Sequence, residues 1–156
     1  MTDIPTLRRI LNETKTIAVV GLSAKWHRPS FFAAKYMQDH GYRIIPVNPN
    51  YDEILGEPCY PDLASIGHPV DMVDLFQRSE MALDYAKQAA DINAKTLWLQ
   101  LGVINEEAKT LAELNGMSCV MDRCVKIEHA RLFGGLNFIG VNTKVITSSR
   151  SKTIAN

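Results

Sequence analysis

The chain has 156 residues, of which 46% are hydrophobic and 22% charged, with 17 basic side chains against 17 acidic ones. A single domain of that size withdraws roughly 68–70% of its unfolded surface from water and needs no disulfide or metal to hold it. A net charge of zero also gives no long-range field to recruit nucleic acid or an anionic membrane, so any anion site must be local.

The start, Met1-Thr2-Asp3-Ile4-Pro5, is acidic and lacks an apolar h-region, and no apolar run approaches about 18 residues. A cytoplasmic chain without a membrane segment is expected. Cys59, Cys119 and Cys124 form no C-x-x-C pair and have no His-x-His partner spacing, which argues against a disulfide framework or a structural zinc site.

The first predicted strand is Thr16-Ile17-Ala18-Val19-Val20, apolar in the manner of a strand covered on both faces. A helix follows over 30–40, with apolar residues at 31, 32, 33, 36 and 37 and a stop at Gly41. The second strand is 43–47. Residues 48–69 carry four prolines (49, 58, 61, 69) and two glycines (56, 67), leaving room only for a short helical turn near Leu63-Ala64-Ser65. A third strand spans 70–76. A helix over 79–91 then opens with Ser79 as its cap, a fourth strand covers 96–100, and a helix runs from Asn105 to Asn115. The last strand is 118–121, and a short helix extends from Val125 to about Leu132.

Strands alternating with helices in this way predict an α/β, Rossmann-like, doubly wound domain: a mostly parallel sheet of about five strands with helices on both faces. The domain is placed at 1–133. Residues 134–156 form an extension whose apolar piece, 136–141, can pair with a neighbouring subunit, leaving a homodimer open. Its last ten residues have the composition of a disordered tail.

Ligands of open parallel sheets bind outside the carboxyl ends of the strands. After the first strand, Gly21 allows a tight turn, Leu22 to Ala24 can offer amide hydrogens, Ser23 adds a hydroxyl, and the helix starting near Pro29-Ser30 aims its positive end there. Lys25, His27 and Arg28 add charge beyond what a pyrophosphate needs, which points to a ligand with a further phosphate. After the second strand, Val47-Asn48-Pro49 lacks the carboxylate that a ribose of NAD would require; Asp52 and Glu53 lie past a proline turn. Phe76 and Arg78 leave the third strand as an aromatic surface and a phosphate contact, and Gln100 and Gly102 leave the fourth with room for an extended ligand arm. Cys124 lies on the same rim.

The segments "TIAVVGLSAKWHRPS" (16–30), "GYRIIPVNPNYDEILGEPCYPDL" (41–63), "VDMVDLFQRSE" (70–80), "AKTLWLQLGVINEEA" (94–108) and "VMDRCVKIEHARL" (120–132) stand in register and order. Together they resemble the CoA-binding domain proteins, stand-alone relatives of the nucleotide-binding first domain of the succinyl-CoA synthetase α-subunit. That resemblance implies a coenzyme A or acyl-CoA ligand. Gly21, Ser23 and Arg28, with Lys25 beside them, would hold the phosphates of its 3′-phospho-ADP part. Val47, Asn48 and Pro49 would border the nucleotide, Phe76 and Arg78 would flank the adenine or pyrophosphate, and Gln100 and Gly102 would line the pantetheine arm. Cys124, after the fifth strand, would stand where the pantetheine thiol arrives, able to form a mixed disulfide with it under oxidising conditions. The phosphohistidine domain of the ligase has no counterpart in the sequence, so ligase activity is not implied.

The expected function is CoA binding without evident catalysis. Two alternatives stay open: an NAD(P)-dependent oxidoreductase, with Arg28 or Lys25 on a 2′-phosphate, and a CoA-dependent acyl-transfer enzyme with Cys124 as nucleophile, His129 as base and Glu128 as support.

Overall fold

The computed structural model describes residues 2–134. It opens with a helix absent from the sequence reading, α1 (Ile4–Glu13). Asp3 caps it by accepting from the Thr6 amide at 2.9 Å, and Pro5 pre-sets the first turn. Its buried residues, Leu7, Ile10 and Leu11, fall three and four apart and make one apolar stripe.

β1 (Thr16–Val20), α2 (Pro29–Asp39) and β2 (Arg43–Val47) follow as expected. The proline-rich segment holds a small hairpin, β3 (Glu53–Ile54) and β4 (Glu57–Pro58), and the turn expected near Leu63-Ala64-Ser65 is a single one, with the Ile66 amide donating to the Leu63 carbonyl at 3.2 Å. Leu55 and Gly56 close it with φ of 57° and 77°, the two positive values that a twist-matched two-residue turn needs.

β5 (Met72–Leu75) leads through a 3₁₀ turn, Ser79–Met81, into α3 (Ala82–Asp91). Ser79 therefore does not cap α3; its hydroxyl accepts from the Ile104 amide at 3.0 Å and reaches the Gly102 carbonyl at 3.4 Å. β6 (Thr96–Leu99), α4 (Glu106–Leu114), β7 (Ser118–Val120) and α5 (Val125–Phe133) complete the described chain. The apolar piece 136–141 and the tail lie outside the described residues.

All five long strands are parallel, in the order β2-β1-β5-β6-β7. From β1 the chain moves out to β2 and then returns to the other side of β1, so strand order reverses between β1 and β5. One face of the sheet packs under α1, α2 and α5, the other under α3 and α4. This is the Rossmann-like α/β arrangement read from the sequence. No described helix is long and apolar enough to cross a membrane.

One core residue runs against its surroundings. Asp74, in the middle of β5, is flanked in register by Val19 and Trp98 and is 1% exposed. Its Oδ1 has no hydrogen-bond partner among the described residues. Burial pushes the carboxyl well above the usual carboxylate range. A raised folded-state pKa means that the folded chain holds this proton more tightly than the unfolded chain. Its contribution is full below the unfolded value of about 3.9 and is lost as pH rises through the folded one. Asp74→Asn should remove that fall and raise the midpoint of unfolding at neutral pH. Denaturant titrations of both forms across pH check this, and parallel stability profiles would contradict it.

Candidate functional site

The reversal of strand order leaves a crevice at the carboxyl ends of β1 and β5, with Gly21 at its base. The Gly21 amide donates to the Val47 carbonyl at 2.9 Å, extending the β1–β2 ladder, and the Phe76 amide donates to the Val20 carbonyl at 2.9 Å, extending β1–β5. Gly21 has φ of +84°, and a Cβ there would lie 2.4 Å from the Phe76 carbonyl oxygen and 3.1 Å from Gln77 Nε2. Only glycine lets the two strand exits approach this closely.

The turn after Gly21 is built largely from its own polar groups. The Ser23 amide donates to Ser30 Oγ at 3.0 Å, and the Lys25 amide donates to Ser23 Oγ at 3.1 Å. The Arg28 amide donates to the Lys25 carbonyl at 3.0 Å, and Arg28 is the N-cap of α2 without a side-chain cap. Of the amides expected to face a ligand, Ser23 is thus spent inside the turn. Those of Leu22 and Ala24 have no acceptor among the described residues, nor does that of Ser30 at the helix start, but Leu22 is fully buried, which leaves those of Ala24 and Ser30 as the candidates. Lys25, Trp26, His27 and Arg28 are all exposed, and neither Lys25 nor Arg28 makes an ion pair there.

Val47 is buried in the core, so its carbonyl, bonded to Gly21, is the part of it that reaches the crevice. Asn48 fastens the two exits together: its Nδ2 donates to the Leu22 carbonyl at 2.9 Å, and its Oδ1 accepts from Asn50 at 2.9 Å. Pro49 follows, exposed. Gly21, Val47, Asn48 and Phe76 therefore meet at one point, with Ser23 on the turn directly above.

The remaining predicted residues stand further along the rim. Arg78 is exposed and 3.7 Å from Glu80. Gln100 is buried, and its Oε1 accepts from the Val125 amide at 3.2 Å, capping α5. Gly102, with φ of +87°, gives its amide to Asp122 Oδ1 at 2.7 Å. Asp122 itself has a positive φ, 59°, where the chain turns out of β7. Cys124 is the half-buried N-cap of α5. Its proposed companions are drawn elsewhere: His129 Nδ1 is 3.0 Å from the Tyr36 hydroxyl, and Glu128 is paired with Arg123 and Arg131.

Three contributors were missing from the sequence reading. Ser30 holds the turn, Gln77 covers Gly21, and Asp122 fixes Gly102. A serine at the second position of a helix that opens with proline was a legible signal. Gln77 and Asp122 gave none, because their roles depend on which strands become neighbours. Among the described residues, no cluster of three His, Cys, Asp or Glu could hold a metal ion.

The profile of the family described as "CoA binding domain" matches residues 15–130. The uncharacterised protein YneT of Bacillus subtilis (strain 168) is 43% identical over 124 residues, covering 80% of this chain and 92% of that protein. The ADP-forming acetate–CoA ligase II of Archaeoglobus fulgidus is 30% identical over 112 residues, which is 70% of this chain but 16% of the ligase. Among solved structures, a hypothetical protein from Pyrococcus horikoshii OT3 matches with a TM-score of 0.82 and 39% identity, over 85% of this chain and 94% of that one. By a profile that spans the sheet and every element of the crevice, the chain belongs to the CoA-binding domain family.

Proposed function

We propose that the protein binds coenzyme A or an acyl-CoA across the β1–β5 crevice, with the phosphates at the Gly21–Ser30 turn. The observation that carries this reading is the turn itself. It combines amides at Ala24 and Ser30 and two cations, all without an internal partner among the described residues, with the start of an eleven-residue helix. A pyrophosphate fits the amides and helix start, and the 3′-phosphate gives Lys25 and Arg28 their role. Trp26, 71% exposed on the same turn, offers a ring face beside these cations.

Asn48 favours CoA over NAD. Its side-chain amide is engaged at both ends by the chain, and the second strand ends without the carboxylate that an NAD ribose calls for. In the ligand's extended arm, the pantetheine would run along the rim past Gly102 toward Cys124, where its thiol meets a half-buried free cysteine.

A thermal-shift panel of CoA, acetyl-CoA, NAD, NADP and ATP tests this. A ligand at 100 times its Kd adds roughly 2.7 kcal/mol to the folded state, of the order of 5–10 °C in Tm for a chain of this size. CoA and acetyl-CoA should shift the protein, and a shift with NAD alone would overturn the reading.

Arg28→Ala should weaken CoA by roughly tenfold or more, the scale of one charge-assisted hydrogen bond, and dephospho-CoA much less. Equal losses in titration calorimetry would put Arg28 on the pyrophosphate instead. Gly21→Ala should cost on the order of 1–3 kcal/mol of stability through its positive φ alone, and should lower CoA affinity by forcing Phe76 away. An alanine variant with unchanged Tm and Kd would remove the close approach of β1 and β5 from the explanation of the site.

A further inference from the structure

A second concavity lies at the other end of the sheet. Its volume is about 280 Å³, at the small end of ligand cavities, and its lining includes Asn12, Lys15, His40, Tyr42, His129 and Phe133. Lys15 directly precedes β1 and Tyr42 directly precedes β2, so the cavity sits at the amino ends of the strands. The five residues of β1, at about 3.3 Å each, separate it from Gly21 by roughly 16 Å.

Its chemistry is one-sided. No lining residue is acidic, whereas a lysine and two histidines are present, in a chain with equal numbers of acids and bases. Two further cations stand over the aromatic wall: Arg8 lies 5.6 Å from the Phe133 ring, and Lys126 lies 5.9 Å from the Tyr36 ring. The acids adjoining the lining residues are engaged: Glu13 with Arg9, Asp39 with Lys35, Glu128 with Arg123 and Arg131, and Asp71 with the Lys15 and Thr16 amides and Lys95.

The wall is aromatic. His129 is 7% exposed, and its ring lies 5.2 Å from His40, 5.6 Å from Tyr42 and 5.3 Å from Phe133. Its Nδ1 meets the Tyr36 hydroxyl at 3.0 Å. Burial raises the Tyr36 phenol to about 12, so it keeps its proton and can donate to Nδ1; in that tautomer the imidazole proton sits on Nε2. Nε2 is then a donor left for the cavity that the ring lines. Burial, with His40 beside it, lowers His129 to about 4, so the imidazole is neutral at physiological pH.

We propose that this cavity is a second ligand site, separate from the CoA crevice, that takes a small planar aromatic carboxylate. Its ring lies among Tyr42, His129 and Phe133, and its carboxylate turns to Lys15, Asn12 and the His129 Nε2–H. Inorganic phosphate would leave the aromatic wall unused, and a neutral ring would leave Lys15 unpaired.

The test is an NMR titration of the full-length protein with benzoate, benzamide and inorganic phosphate, following the imidazole signals of His129 and His40 and the Tyr42 amide. Benzoate should give saturable shifts at all three and raise the titration midpoint of His129, since a bound anion favours the imidazolium. Benzamide and phosphate should bind at least several-fold more weakly. Lys15→Ala should weaken benzoate roughly two- to fivefold, the scale of an exposed ion pair, and leave the CoA shift unchanged. Asn12→Asp, on the exposed end of α1, should weaken it likewise. Absence of saturation at tens of millimolar, equal affinity for benzamide, or contacts of Phe138 with Tyr42 and His129 showing the chain filling its own cavity would each overturn the proposal.

Discussion

The structure turns on the distance between two strand exits. At the end of β1 the backbone of Gly21 lies so close to the Phe76 carbonyl of β5 that a single added carbon would stand 2.4 Å from that oxygen. This closeness joins the two halves of the sheet where their order reverses. It also brings a turn, a helix start and the β2 exit to one crevice. Its cost is a backbone conformation that other residues adopt only under strain.

Around this point the rim is closed by side chains bonded to backbone. Asn48 ties the β2 exit to Leu22, Ser79 ties the β5 exit to Gly102 and Ile104, Asp122 ties the β7 exit to Gly102, and Gln100 caps α5. Each bond fixes a loop and at the same time spends a group that a ligand could have used. What is left with unspent donors is the Gly21–Ser30 turn, where amides and two cations have no partner among the described residues. On the proposed reading, the rigid rim and the unsatisfied turn together would make an anion site in a chain with no net charge.

Much of this was legible in the sequence because it is local. The apolar runs ending at Val20, Val47 and Leu75, the stops at Gly41 and Gly116, and the basic turn all follow from short-range chemistry, and the five-strand parallel sheet follows from their alternation. The missed features divide in two. α1 was readable, since Asp3 and Pro5 mark its start and Leu7, Ile10 and Leu11 its stripe. Gln77, Asp122 and Asp74 were not readable, because each depends on pairing between distant strands. Ser79 shows the limit of local reasoning: serine before a helix suggests a cap, but the Gly102–Ile104 loop offers its hydroxyl better partners.

Mapping CoA onto the full-length protein by amide chemical shifts tests the central claim most directly. The account predicts saturable changes concentrated at Gly21, Leu22, Ala24 and Ser30, with Phe76 and Gln77 across the crevice, and little change at Lys15 or Tyr42. Changes centred on the amino ends of the strands, or none that saturate, would contradict it.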